Sequence, residues 1–145
     1  MASEPLKTLL RVRRLQVDEA RRELGRQERY RHTLDTHILA TEQALRNAMP
    51  SADSYRADVV QLEAFQRQGD RLRYQNQMLR MHAPQVQTQI EAAQGSLASA
   101  RQAARAVEEL VAARIRDRNA EALRRQQHEL DDVARGLLLR QRVND

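Results

Sequence analysis

Four histidines are the residues of this chain that could most readily serve as catalytic bases or metal ligands. They are His32, His37, His82 and His128. A helical metal pair needs two ligands four residues apart on one face, and no two of these histidines have that spacing. His32 and His37 are five apart and point to different faces of a helix. The spacing therefore predicts solvent-exposed histidines, with no catalytic residue and no metal site.

Other catalytic patterns are also absent from the sequence. Cysteine does not occur, which excludes disulfides and thiolate metal sites. The chain contains neither a nucleophile elbow nor a glycine-rich loop of the kind that cradles phosphates. The sequence predicts a protein that is not an enzyme and needs no cofactor.

Three clusters of charge are candidates for binding a partner. One is "RVRR" near the start, with Arg11, Arg13 and Arg14. A second is basic and lies late in the chain: Arg114, Arg116, Arg118, Arg124 and Arg125. The third is acidic, followed closely by three consecutive leucines: Glu129, Asp131 and Asp132, then Leu137, Leu138 and Leu139. Three consecutive leucines point in three directions around a helix, and a two-helix seam covers at most two of them. The third leucine predicts a partner surface.

Composition indicates long helices. Charged residues make up 31% and aromatic residues 3% of the 145, with four glycines and three prolines. The remainder is rich in Ala, Leu, Arg, Gln and Glu, which are strong helix formers. No stretch reaches the roughly 18 apolar residues of a membrane span, so the sequence predicts a soluble protein. The net charge of +5 is diluted by acidic residues throughout, which disfavours a nucleic-acid partner.

A seven-residue repeat predicts how the helices are arranged. One helix is expected over about 5–48, with apolar or small residues at most heptad positions. Pro50 ends it, a short tip segment follows over about 51–68, and a long helix runs over about 70–142, with Gly69 and Pro84 as points where it could break or kink. The seam of the long helix reads Leu72, Asn76, Leu79, Ala83, Val86, Ile90, Ala93, Leu97, Ala100, Ala104, Val107 and Val111.

These elements predict an all-α fold: a long antiparallel coiled-coil hairpin with a short helical tip, forming one domain over residues 1–145. Beyond Val111 the seam slips, and Leu123, Leu130 and Leu137 continue at intervals of seven but out of phase. In such a hairpin, "RVRR" and the acidic cluster are expected to lie together at the open end.

Two stretches resemble a known family. "LKTLLRVRRLQVDEARRELG" is similar to the opening helix of the FliJ/YscO-type stalk proteins of flagellar and virulence type III export systems, with Glu19, Ala20 and Leu24 matching an E-A-x-x-x-L turn. "RRQQHELDDVARGLLLRQ" resembles the closing helix of that family, where a basic and glutamine-rich stretch precedes an acidic pair.

The resemblance implies a non-catalytic stalk that binds and activates a hexameric export ATPase and links it to the cytosolic domain of an inner-membrane export gate protein. It places the protein in the cytoplasm, peripheral to the inner membrane, and some members also handle export chaperones. The ATPase-binding residues that it implies are Arg11, Arg13, Arg14, Leu130, Asp131, Asp132, Leu137 and Leu138. The gate-binding residues that it implies are Phe65 and Leu72. It does not distinguish flagellar from virulence secretion.

Two other functions remain open on the sequence. A structural or adaptor coiled coil, homodimeric and without an ATPase partner, would show a continuous seam pairing two copies. A nucleic-acid-binding helical protein would accord with the isoelectric point near 10.6, and its affinity would fall steeply with salt.

Overall fold

The computed structural model describes residues 4–48 and 59–145, and nearly all of them are helical. Helix α1 spans Glu4–Ala48 and helix α2 spans Val59–Asn144, and no strand occurs in the two described ranges. Glu4 lies in the first turn of α1 and Arg46 in its last turn, where their charges complement the helix dipole. The predicted all-α class is confirmed.

The chain divides into two compact units. The hairpin unit comprises residues 16–100, and the terminal unit comprises residues 1–15 with 101–145. Each unit takes one part from α1 and one from α2. The organisation of residues 1–145 as a single domain stays a prediction.

In the hairpin unit, α1 and α2 pack antiparallel around a narrow apolar core. Leu34, Val86 and Ile90 form a buried cluster, and Thr41 contacts Asn76. The contact residue on α2 has a lower number for Thr41 than for Leu34, so the two helices are antiparallel. Four half-buried residues complete the cluster: Leu24, Ile38, Leu79 and Ala83. The predicted helical hairpin is confirmed in this unit.

A polar contact crosses this seam. The Asn76 side-chain amide donates to the Thr41 hydroxyl at 2.9 Å, and its carbonyl oxygen accepts from Arg80 Nε at 2.8 Å. Arg80 also bonds the Glu42 carboxylate on the other helix. A seam asparagine with a specific partner fixes the register of two helices, because any slip leaves it unpaired.

We expect Asn76→Ala and Thr41→Ala to be coupled by about 1 kcal/mol in a double-mutant cycle, since each removes the same hydrogen bond. The cycle cancels the helix-propensity difference between asparagine and alanine. Urea unfolding of the four chains measures it. The matched cycle of Thr41→Ala with the exposed Gln77→Ala should give a coupling near zero, and equal couplings in both cycles would contradict a register role.

In the terminal unit, the first turns of α1 pack on α2 just beyond residue 100. Arg14 forms an ion pair with Glu108 at 3.7 Å. Ala104 and Val107 are each 6% exposed, and alanine there allows the helices to approach closely. Every residue from 114 to 145 is exposed.

The predicted division between a tip segment and a long helix is corrected. Val59 to Asn144 is one helix with Pro84 inside it, so residues 59–68 belong to α2, whereas residues 49–58, including Pro50, lie outside the described residues. Neither Gly69 nor Pro84 divides α2. One glycine costs about 1 kcal/mol and one proline about 3 kcal/mol in a helix interior, and the propensity and packing of 86 helical residues outweigh both.

Candidate partner-binding segment at the end of α2

The last third of α2 is a helix whose residues are all exposed to solvent. We call residues 114–144 the exposed segment; all of them are exposed. At the usual helical rise they extend about 45 Å. Its helix-forming residues, among them Ala120, Glu121, Ala122 and Leu123, keep it helical despite the lack of packing.

The exposed segment carries large apolar side chains that a solvated helix would not need. Leu123, Leu130 and Leu137 recur every seven residues, and Val133 lies three residues beyond Leu130 on the same face. Leu138 and Leu139 point to other directions. The exposed fractions are 53% for Ile115, 63% for Leu123, 68% for Leu130, 61% for Val133, 58% for Leu137, 61% for Leu138, 62% for Leu139 and 84% for Val143. Apolar surface extends all round the end of the helix.

Charges of both signs accompany these leucines. Arg124 and Arg125 precede Leu130, and Asp131 with Asp132 follow it. Arginine presents a planar fork that binds carboxylates, and an exposed carboxylate accepts the same fork from a partner. The segment therefore offers apolar contact together with charge-assisted hydrogen bonds of both polarities.

The amino-terminal arginines do not lie beside the acidic cluster. Arg14 pairs with Glu108, and Asp131 is about 35 Å further along α2 at the usual helical rise. The prediction that "RVRR" and the acidic cluster lie together is therefore wrong. The difference follows from the lengths of the helices: α1 has 45 residues and α2 has 86. The first turns of α1 therefore lie beside α2 near Glu108, and α2 continues past them to the acidic cluster. Arg11 is exposed and Arg13 half-buried.

The two residues predicted to bind an export gate lie in the hairpin unit. Phe65 is 38% exposed and lines an apolar cleft of about 370 Å³ with Leu45, Ala48 and Leu62. Leu72 is half-buried in the seam and does not line this cleft. The structure brings Phe65, but not Leu72, to an accessible apolar surface.

The described residues contain no group of three His, Asp or Glu side chains that could hold a metal ion. Within the same ranges, neither helix has a stretch long and apolar enough to cross a membrane.

The family model described as Flagellar FliJ protein matches residues 1–142. The chain belongs to the flagellar FliJ family. Searches of curated proteins and of solved structures found no match. The matched range includes all of α1 and all of α2 except its last two residues.

Membership of the FliJ family makes this chain a protein of flagellar type III export. The family is an export component and not a known enzyme. The resemblance on the two quoted stretches is thereby confirmed.

Several residues of the exposed segment in this FliJ-family chain were not predicted as site residues. Ile115, Leu123, Val133 and Val143 are at least half exposed and apolar. A signal for them was present in the sequence: Leu123, Leu130 and Leu137 run out of phase with the seam that ends at Val111. Such a phase shift indicates that the apolar stripe has turned away from its intramolecular partner.

Proposed function

We propose that this chain is the central stalk of a flagellar-type export apparatus, which binds and activates a hexameric export ATPase and couples it to the export gate. Its location would be cytoplasmic, peripheral to the inner membrane. Family membership supports a role in flagellar export, and the exposed segment offers a surface by which the chain would bind the ATPase.

The exposed segment is the observation that carries this proposal. Residues 114–144 form a 31-residue helical stretch in which every residue is exposed. Leu130, Leu137 and Leu138 expose 58–68% of their surface. Covering a leucine side chain is worth roughly 1.5–3 kcal/mol, so a partner that covers several of them gains substantial binding free energy.

The distribution of the leucines favours a partner that surrounds the helix. Leu137, Leu138 and Leu139 are rotated by about 100° from one to the next, so a single flat surface or one parallel helix cannot cover all three. The inner wall of a ring contacts a central helix from every side. A ring of ATPase subunits around residues 130–139 would cover the leucines and pair Asp131 and Asp132 with basic groups.

The arginine cluster would make a second contact with the ATPase. Arg11 is exposed, and the Arg14 and Glu108 side chains remain 65% and 49% exposed in their ion pair. At about 35 Å from Asp131, a contact of Arg11, Arg13 and Arg14 would involve a different level of the ring. Exposed arginines contribute mainly to the rate and salt dependence of association.

We assign the gate contact to the apolar cleft of the hairpin unit. Phe65 and Leu62 are 38% and 37% exposed, and both line the cleft. An exposed phenylalanine beside a cleft has the character of an interface anchor. Leu72, half-buried, would support the packing below it. Export chaperones are further partners implied by the family resemblance.

The proposal is tested by ATP turnover of the cognate export ATPase with and without this chain. We expect stimulation by the native chain and its loss in a variant with Asp131→Ala, Asp132→Ala, Leu137→Ala and Leu138→Ala. All four side chains are exposed, so the substitutions remove partner contacts and leave the core intact. Circular dichroism checks that the variant remains helical.

A matched control carries Asp18→Ala, Glu28→Ala, Leu39→Ala and Met81→Ala, which also remove two exposed acidic and two exposed apolar side chains. It should stimulate turnover as the native chain does. Absence of stimulation by a folded native chain would rule out the stalk function. Equal loss in both variants would show that the exposed segment is not the working surface.

The alternative is a homodimeric adaptor, and the heptad spacing of Leu123, Leu130 and Leu137 is the observation that favours it. Two copies could pair along this stripe as a coiled coil. Sedimentation equilibrium separates the two functions: the adaptor requires a stable dimer that the Leu130→Ala and Leu137→Ala substitutions dissociate, whereas the stalk acts as one copy within a ring.

A further inference from the structure

One side of the hairpin unit has a continuous groove between α1 and α2 that the proposed function does not use. Two clefts of about 410 and 440 Å³ adjoin there and share His82. His37, Tyr74 and Met78 line the first, and Tyr30 lines the second. We call the two clefts together the flank groove.

The flank groove is nearly free of charge. Thirteen residues line it, and Arg26 alone is charged when histidine is counted as neutral, in a chain whose residues are 31% charged. Arg26 is itself held by Glu23, with its Nε at 3.0 Å from Oε2. The hydrogen bond from Gln27 and the neighbouring Arg26 lower the pKa of Glu23, so this carboxylate stays ionised and balances Arg26. Depletion of charge is a mark of interface cores.

The side chains that replace charge are those enriched at interfaces. Tyr30, Tyr74 and Met78 expose 54%, 64% and 40% of their surface. Tyrosine offers a rigid apolar ring with a hydroxyl that can hydrogen-bond, and methionine adapts to the shape of a partner. Glutamines border the groove and provide neutral hydrogen-bonding groups: Gln27, Gln75, Gln85 and Gln89.

Charge is scarce on the groove side of the hairpin, but not on the other side of the same helical turns. Glu42 and Arg80 form an ion pair across the same stretch, and neither lines the flank groove. Glu42 is five residues beyond His37, and Arg80 is five beyond Gln75. Five residues correspond to a rotation of about 140° around a helix, which places the ion pair on the other side of the seam.

We propose that the flank groove is a docking site for an amphipathic helix of a partner protein, which packs between α1 and α2 as a third helix. A groove between two packed helices accepts a third helix at the usual interaxial distance of about 8–10 Å. The groove extends from Arg26 to Thr41 on α1 and from Tyr74 to Gln89 on α2. This length accommodates a helix of about four turns.

Charge complementarity defines the chemistry of the docked stripe. A charged side chain facing this groove would lose water without gaining a counter-ion, because the one lining charge already has a partner. The stripe of the partner helix is therefore uncharged: apolar at its centre, with amide or hydroxyl side chains toward the glutamines. The surface is distinct from the exposed segment and from the Phe65 cleft.

The test is an NMR titration of the full-length ¹⁵N-labelled chain with two designed 18-residue helical peptides. One has a stripe of leucine and alanine flanked by glutamine, and the other has glutamate at the centre of the same stripe. We expect the first peptide to shift the resonances of Tyr30, Tyr74, Met78 and their neighbours, and the second to bind at least about tenfold more weakly.

Paired variants locate the binding. Tyr30→Ala with Tyr74→Ala should weaken the first peptide about tenfold, and both side chains are exposed enough to be removed without unfolding the chain. The control, Leu39→Ala with Met81→Ala, removes side chains that are 64% and 61% exposed and do not line the groove. It should bind the peptide as the native chain does.

Three results would overturn the proposal. One is the absence of any shift at roughly 1 mM peptide, the weakest affinity that a specific site would show. Another is that the control variant weakens peptide binding equally, or that the peptide shifts resonances of the exposed segment alone. The third is movement of the same groove resonances with protein concentration alone, which would mean that a second copy occupies the groove. Because none of these measurements involves the ATPase, their failure is separate from that of the stalk proposal.

Discussion

Truncating Leu34 to alanine is expected to lower the free energy of unfolding by about 3 kcal/mol, whereas the same truncation of Leu130 should change it by less than about 0.5 kcal/mol. Leu34 is 6% exposed and packs against Val86 and Ile90, so its removal leaves a cavity in the core. Leu130 is 68% exposed, and its removal leaves none. Urea unfolding followed by circular dichroism measures both.

The pair is matched, since residue type and substitution are the same and only burial differs. The functional expectation is the reverse of the stability expectation: Leu130→Ala should weaken activation of the ATPase, and Leu34→Ala should leave it unchanged at temperatures where the chain stays folded. Comparable losses of stability from the two substitutions would mean that Leu130 is covered in solution, as in a homodimer. The dimer would then appear in sedimentation.

Replacing Pro84 with alanine is expected to raise the free energy of unfolding by about 2 kcal/mol. Pro84 is exposed inside α2, where proline lacks the backbone N–H that would bond the carbonyl of Arg80 and its ring crowds the preceding turn. The helix penalty relative to alanine is about 3 kcal/mol, and the greater freedom of the unfolded alanine chain offsets up to about 1 kcal/mol of the gain. Urea unfolding measures the change.

Gly95→Ala is the matched control in the same helix. Gly95 is exposed, and a Cβ added there would meet nothing within 4 Å, so the gain should be about 1 kcal/mol from propensity alone. A fall in stability for Pro84→Ala, beside the expected gain for Gly95→Ala, would show that the packing of the hairpin unit depends on a bend that proline introduces at this point.

The sequence by itself determined where the seam of α2 lies. All twelve positions predicted from Leu72 to Val111 are buried or half-buried, because a seven-residue repeat leaves one face of a helix apolar and that face packs. The family was also determined at this level, since the matching motifs are local and the family model spans residues 1–142. In α1 the pattern was less reliable: the seven-residue repeat that includes Leu24 and Ile38 predicts a seam position at Arg31 between them, but Arg31 is exposed and pairs with Asp35 at 3.8 Å.

Tertiary structure decided which apolar residues remain uncovered. A leucine occurs at residue 34 and at residue 130, and the length of α1 and its register against α2 make the first a core residue and leave the second exposed. Those two quantities also place Arg14 opposite Glu108 and not beside Asp131. Register depends on how two distant segments pack together, so no local pattern specifies it.

The flank groove depends on tertiary structure for the same reason. Tyr30 and Tyr74 are 44 residues apart, and each alone looks like an isolated exposed tyrosine on a charged helix. Antiparallel packing brings their faces together and separates them from Glu42 and Arg80. Heptad periodicity determines which face of each helix is buried, but the side chains that share a groove beside the seam are set by the alignment of one helix along the other.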